Sequence, residues 1–254
     1  VTAPVLELEG VTVGIAGRPI LSGVDLVIQP GEVHVVMGPN GSGKSTLANA
    51  LAGWPGYELL GGRARLGGAD LASMAIDERA RAGLFLLPQL AIEVPGVLGV
   101  EMLTEAYKAL GRDPSSVPGR LATEAGRLDL PLELLERGLN VDLSGGERKR
   151  AEAVQLGVLG PALAVLDELD TGLDVDALRK VAERLVAATQ EDGLAVLAVT
   201  HFTRLLDVLR PSAVHVVASG EVRASGGPEL AHSVEESGYA AFLEHRTGTA
   251  APLE

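Results

Sequence analysis

The nine residues 38–46, GPNGSGKST, constrain this chain more than any other stretch. They follow Val33-His34-Val35-Val36-Met37, a β-branched run that reads as a buried strand, and precede 47–52, which reads as a helix stopped by Gly53. Strand, glycine-rich loop, Lys-Ser and helix is the context in which the pattern G-x-x-x-x-G-K-[ST] forms a phosphate site. Gly41 and Gly43 allow turns that a Cβ would forbid. Gly38, Pro39, Asn40, Gly41, Ser42, Gly43, Lys44, Ser45 and Thr46 then form a cradle whose N–H groups point inward as an anion nest. The helix that starts near Lys44 adds its positive dipole end. Lys44 is expected to reach the β- and γ-phosphates as a point charge, and Ser45 to ligate Mg²⁺.

At 254 residues the chain suits one large domain, or one domain with an inserted subdomain. No run of about 18 apolar residues occurs, so no transmembrane helix is encoded. The N-terminal VTAPVLELEG has no basic region followed by an apolar core, so no secretory signal is read there. The net charge of −13 disfavours a nucleic-acid backbone or an anionic membrane as the main partner. With no cysteine, the chain has no disulfide and cannot itself hold a thiolate-ligated iron–sulfur cluster. All of this fits a reducing, cytoplasmic setting.

Periodicity supplies the rest of the frame. Residues 5–28 alternate apolar and polar around Ala16-Gly17-Arg18-Pro19 and predict antiparallel strands. Residues 57–71 read as a hairpin, 77–82 as a short polar helix, and 83–88 as a short buried strand. Gln89 then opens a different region. Residues 90–99 read as a loop, 100–110 and 121–135 as helices joined by a linker over 112–119. We expect 90–155 to be a helical insertion in an α/β core made of 1–89 and 156–246. A strand at 164–166, a helix at 175–190, a strand at 195–200 and a hairpin around Ser219-Gly220 complete that core. Residues 247–254 are small and polar and are expected to be a disordered tail.

Five further motifs agree with the phosphate loop. Ser144-Gly145-Gly146 opens a helix 100 positions beyond Lys44. With Glu147 at the third helical position it reads either as a capping box or as a second set of anion donors. Asp167-Glu168 ends a buried strand. There Asp167 is expected to hold Mg²⁺ through water, and Glu168 to polarise the attacking water, unless the pair is only an acidic helix start. Gln89 suits a ligand of Mg²⁺ or of that water, or is an ordinary loop residue. His201, at a strand end, can donate to the γ-phosphate or serve structure alone. Asp174 suits both a helix N-cap and a turn that meets its copy across a dimer.

In this order the motifs resemble those of an ATP-binding cassette ATPase, over the whole chain. The resemblance implies a P-loop NTPase fold: a RecA-like α/β core, an N-terminal antiparallel β subdomain and an inserted helical subdomain. It also implies ATP and Mg²⁺ as cofactors. Ser144, Gly145, Gly146 and Glu147 would be the signature that completes the site of an opposite subunit. Within the family the chain is similar to the SufC type, the soluble ATPases of SUF iron–sulfur cluster assembly. That similarity rests on Tyr57-Glu58, on 79–86 (RARAGLFL), on Glu93-Val94-Pro95-Gly96-Val97 and on Gln155. It rests further on 167–178, where Leu169-Asp170 stand in place of the Pro and Thr or aromatic common in transport cassettes. Residues 200–206 and Glu235-Glu236-Ser237-Gly238-Tyr239 complete the set. The implied partners are SufB- and SufD-like scaffold subunits and, around ATP, a head-to-tail second copy; neither nucleic acid nor membrane insertion is implied.

Two other readings are weighed. A transport ATPase would share every catalytic residue. A chromosome-maintenance head would need a long coiled coil between phosphate loop and signature, for which 100 residues leave no room. Pro88-Gln89-Leu90-Ala91 departs from the aromatic-flanked Gln usual in the SufC type. No aromatic occurs between Val11 and Leu26, so the base is expected to rest on apolar contacts with weak selectivity. The apolar segment 89–100 is expected either to tuck into its own core or to receive the scaffold. Arg148 or Lys149 is expected either to hold Glu168 away from water in the isolated chain or to belong to a solvated basic face.

Overall fold

The structure, a computed structural model, describes residues 3–200 and 203–243. Strands β1 (Leu6–Ile15) and β2 (Arg18–Ile28) pair antiparallel around Ala16-Gly17, both in the left-handed region. Strand β3 (Val33–Met37) runs into the phosphate loop and helix α1 (Lys44–Ala52). Gly53, at φ 75°, closes α1 as a left-handed cap. Strand β4 (Tyr57–Leu66) returns along β1 and turns at Gly67-Gly68 into β5 (Ala69–Asp70). Helix α2 (Ile76–Arg81) leads to β6 (Leu84–Leu87).

Then come β7 (Val94–Leu98), α3 (Gly99–Ala109), α4 (Val117–Arg127), α5 (Leu132–Leu135) and β8 (Gly138–Leu139). Helix α6 (Gly145–Leu159) returns the chain to the sheet at β9 (Leu163–Asp167). After it come α7 (Val175–Glu191), β10 (Ala195–Val199), α8 (Thr203–Leu209), β11 (Ala213–Ala218), β12 (Glu221–Gly226), α9 (Glu229–Ser237) and α10 (Ala240–Leu243).

Ten strands form one sheet in the order β5-β4-β1-β2-β12-β11-β3-β10-β9-β6. From β11 through β3, β10 and β9 to β6 every pairing is parallel; β5, β4, β1 and β2 pair antiparallel. β3, β9 and β10 are buried along their whole length, as parallel strands covered on both faces require. Val33, Val35 and Met37 face one apolar layer and Val36 the other. The first layer joins the sheet to α3, α4, α6 and α7; the second packs α1 against β1, β2 and β4. The strand order puts the carboxyl ends of β3, β6, β9 and β10 along one rim, where open α/β sheets bind ligands.

Three expectations are corrected. Residues 90–99 are not all loop: β7 pairs antiparallel with β8, Val94 opposite Leu139 and Leu98 opposite Gly138. The linker expected over 112–119 ends early, because Pro118 lies in the first turn of α4, where its missing N–H costs nothing. The helix expected over 121–135 breaks after Arg127, where Asp129 takes φ 47° and Pro131 follows. Helix α6 crosses position 155 without interruption. Helices α9 and α10 were not anticipated. His201 and the expected tail, 247–254, lie outside the described residues. No helix among the described residues is long and apolar enough to cross a membrane.

Candidate nucleotide-binding site

Strand β3 delivers Gly38 into a place that only glycine fits, since a Cβ there would lie 2.0 Å from the Val217 carbonyl oxygen. Gly41 (φ 78°) and Gly43 (φ 103°) then turn the backbone through conformations that L side chains resist. Lys44 Nζ donates to the carbonyls of Gly38 (2.8 Å) and Pro39 (3.0 Å), closing the loop on itself. Burial pushes the Lys44 ammonium below its ordinary pKa, while Glu168 and Asp167 pull it back up. Ser42 Oγ is buried with no hydrogen-bond partner. A glycine-turned loop at a helix start, a buried cation and an unpartnered hydroxyl suit a polyphosphate. The cleft above it holds about 390 Å³, and its walls include Ile20, Asn40, Thr46, Gln89 and Glu168.

The acidic pair sits at the end of β9. Ser45 Oγ donates to Asp167 Oδ1 at 2.8 Å, so two of the three residues expected around Mg²⁺ already meet. Burial raises the Asp167 carboxyl above its ordinary range, and the Ser45 hydrogen bond opposes that shift. The third residue, Gln89, does not join them. Its amide donates to Glu168 Oε2 instead, and Thr171 Oγ1 donates to the same oxygen at 3.3 Å. Glu168 takes φ 49°, a conformation a non-glycine residue adopts at a cost of about 1–3 kcal/mol.

The cations expected to hold Glu168 are elsewhere. Lys149, 4% exposed, donates to the Pro88 carbonyl and pairs with Glu152 at 3.5 Å. Arg148 donates to Glu93 at 2.5 Å and to the Leu143 carbonyl at 3.1 Å. Both side chains leave α6 on the side facing the 88–93 segment, so neither pairs with Glu168.

Of the two readings of Ser144, the structure shows the capping box. Its hydroxyl accepts from the Glu147 amide at 3.3 Å, and its amide donates to the Glu147 carboxylate at 2.8 Å: a capping box. Its donor-rich helix start nonetheless stands clear of the phosphate cleft, whose walls include none of Ser144, Gly145, Gly146, Glu147 or Asp174. Gly145 packs on the Gly172 carbonyl, which a Cβ would approach to 2.8 Å. Asp174 accepts from the Ala177 amide at 2.8 Å and caps α7. Sequence reasoning missed Ile20, whose only signal is its place on β2, and Asn140, which carries no local signal.

This is the site of a nucleotide-hydrolysing P-loop protein. The ABC transporter family model matches residues 21–171, and the chain belongs to that family. It is 41% identical to a "Probable ATP-dependent transporter" of Synechocystis sp. over 242 residues, 92% of this chain and 94% of that protein. It is likewise 41% identical to "Vegetative protein 296" of Bacillus subtilis, over 93% of this chain and 92% of the relative. Among solved structures, an ATP-binding subunit of an ABC transporter superposes with a TM-score of 0.80 at 22% identity. That superposition covers 94% of this chain and all of the other. A dimeric ATP-binding cassette in a post-hydrolysis state with ADP and Pi superposes at 0.76, also at 22% identity, covering 88% and 98%. The fold is that of the ATP-binding cassette, and the chain is an ATPase that takes ATP with Mg²⁺.

Proposed function

We propose that this chain is a SufC-type ATPase that works in the cytoplasm, hydrolysing ATP to drive iron–sulfur cluster assembly on a SufB–SufD-type scaffold. The observation that carries this reading is the stretch after Glu168. Leu169 is fully buried and Asp170 accepts from the Thr200 hydroxyl at 2.9 Å, so the residues that separate the chain from transport cassettes are built into the strand ends of the site. In this reading Lys44 neutralises the β- and γ-phosphates, Ser45 and Asp167 hold Mg²⁺, and Glu168 takes a proton from the attacking water. Gln89 leaves Glu168 for the metal or the water, and His201 donates to the γ-phosphate. Ser144, Gly145, Gly146 and Glu147 complete the nucleotide site of a second, head-to-tail copy, which Asp174 meets across the dimer. Residues 90–155 act as the helical lobe of one 1–246 cassette.

The scaffold docks on the segment 89–100. Leu90 is 77% exposed and Ile92 55%, so these apolar side chains are not tucked into the core. A transport ATPase is the second reading, favoured by the relative's name as an ATP-dependent transporter. Purification of the tagged chain from its native cells separates the two: soluble scaffold subunits support the first reading and a membrane permease the second. Val97→Asp should reduce scaffold recovery at least tenfold while ATP affinity stays within twofold. Full recovery with that variant would move the interface elsewhere. Glu168→Gln with Mg-ATP should sediment as a dimer, and a strict monomer at saturating ATP would remove the head-to-tail copy from the proposal.

A further inference from the structure

The ribbon 88–98 has two sides. Outward it carries Leu90, Ile92 and the partly exposed Val97. Inward it is fastened to the stretch 138–149, which ends in the second turn of α6. Lys149 Nζ donates to the Pro88 carbonyl. Asn140 Nδ2 donates to the Ile92 carbonyl at 3.0 Å. Arg148 Nη2 donates to Glu93 Oε1 at 2.5 Å. Between them the β7–β8 ladder contributes only two residue pairs with a register break, too little backbone pairing to hold a ribbon by itself.

The fastening side chains are built into the fold. Lys149 and Asn140 are buried, and Asn140 takes φ 59°, a strained conformation that the surrounding contacts must stabilise. The same ribbon begins with Gln89, which reaches Glu168 of its own site. The same α6 is capped by Ser144, which is not among the walls of that site's cleft.

We infer that Asn140, Arg148 and Lys149 are positioning residues that clasp the Gln89 ribbon to the signature helix, so that Gln89 and Ser144 move as one body. The second half of this statement rests on the proposed head-to-tail dimer, in which the two residues serve different nucleotides. Displacement of the ribbon then reaches Glu168 of one site and the signature half of the other together, without passing through the sheet.

The test uses Glu93→Lys, which sets two cations against each other on a half-exposed surface and leaves the core untouched, and the exchange pair Glu93→Arg with Arg148→Glu. Hydrogen exchange of the isolated chain reads the clasp directly. Glu93→Lys should speed exchange of the amides in 90–98 and in 138–148 together, by tenfold or more, with β3 and α1 unchanged. The exchange pair should restore protection. Acceleration confined to 90–98, or no restoration, overturns the clasp. Steady-state hydrolysis reads its consequence: kcat should fall at least tenfold in Glu93→Lys with the KM for ATP within twofold, and recover in the exchange pair. An unchanged kcat overturns the coupling. Sedimentation of Glu168→Gln with Mg-ATP reports on the dimer separately, so a missing dimer rejects that reading while the exchange data still decide the clasp.

Discussion

Glu168 stands at φ 49° on the residue after β9, with one carboxylate oxygen held by both Gln89 and Thr171. The donors that hold this carboxylate are neutral, so its place does not depend on Lys149. Lys149→Ala is therefore not expected to release activity. Glu168→Gln should lower turnover by a factor of about 10²–10⁴, as the loss of a positioned general base does, with ATP affinity retained. Lys44→Ala should abolish binding instead, and equilibrium titration with a fluorescent ATP analogue distinguishes the two. Ile20 is the apolar side chain on the wall of the cleft. An apolar wall reads the π-face and not the edge of a base, so GTP and ATP should be hydrolysed with kcat/KM values within about fivefold of each other. A preference above a hundredfold would mean that a hydrogen-bonding side chain reads the edge of the base, and would reject the apolar wall as its seat.

At the scale of elements, the joint between α4 and α7 carries the largest concentrated risk. Arg184 forks onto Glu124 at 2.6 and 3.0 Å, both side chains buried, and Arg127 adds a third contact at 3.3 Å. Gly157 of α6 is part of the same joint, since a Cβ there would lie 2.3 Å from the Glu124 carboxylate. Arg184→Ala leaves that buried carboxylate to the half-exposed Arg127 at 3.3 Å, and should cost about 3–5 kcal/mol in urea unfolding. Replacing both partners by apolar residues should recover much of the loss. Arg79 plays a related part at the other face: its guanidinium donates to the carbonyls of Ala50, Leu51 and Met74 and so closes the C-terminal end of α1. The sequence marks Arg79 only as part of a family-specific run. Its reason is a contact across 28 and 29 positions.

Across the whole molecule, one hydrogen-bonded chain crosses the sheet beneath the phosphate loop. Glu32 accepts from His34 Nε2 (3.3 Å), whose Nδ1 meets His215 Nε2 (3.1 Å), whose Nδ1 meets Ser225 Oγ (2.8 Å). With Glu32 ionised and both imidazoles neutral, this order fixes their tautomers, the Ser225 hydroxyl donating last. Burial, with His34 beside it, pushes His215 down to about 4; burial also lowers His34, against the pull of Glu32. Both folded values lie below the ordinary 6.5, so the unfolded chain binds more protons as pH falls from 6.5 towards 4. For His215 this removes up to about 1.4 kcal/mol of stability per pH unit over that window, and His34 acts in the same direction. Glu152 works in the opposite sense. Burial lifts it to about 7 despite Lys149, so its contribution is lost as pH rises from about 4.5 towards 7. The quantity to read is therefore the difference between parent and variant. His215→Gln should flatten the fall of stability from pH 6.5 to 4.5 relative to the parent, and parallel curves would remove the assignment.

Much of this was legible in one dimension. The phosphate loop, the buried strands 33–37 and 163–167 and the β1–β2 hairpin are local patterns, each set by the steric needs of glycine or by side-chain alternation over a few residues. The same holds for the capping box at Ser144, complete within four residues. What the tertiary structure alone decided is which side chain meets which. Gln89 faces Glu168 rather than Ser45; Lys149 turns to Pro88 and Glu152 rather than to Glu168; His34 finds His215 across 181 positions. Such pairings depend on where separate elements are brought by packing, and a charge in a linear pattern carries no direction. The sequence by itself determined the chemistry that the rim of this sheet can perform, and the packed fold decided how that chemistry is held at rest.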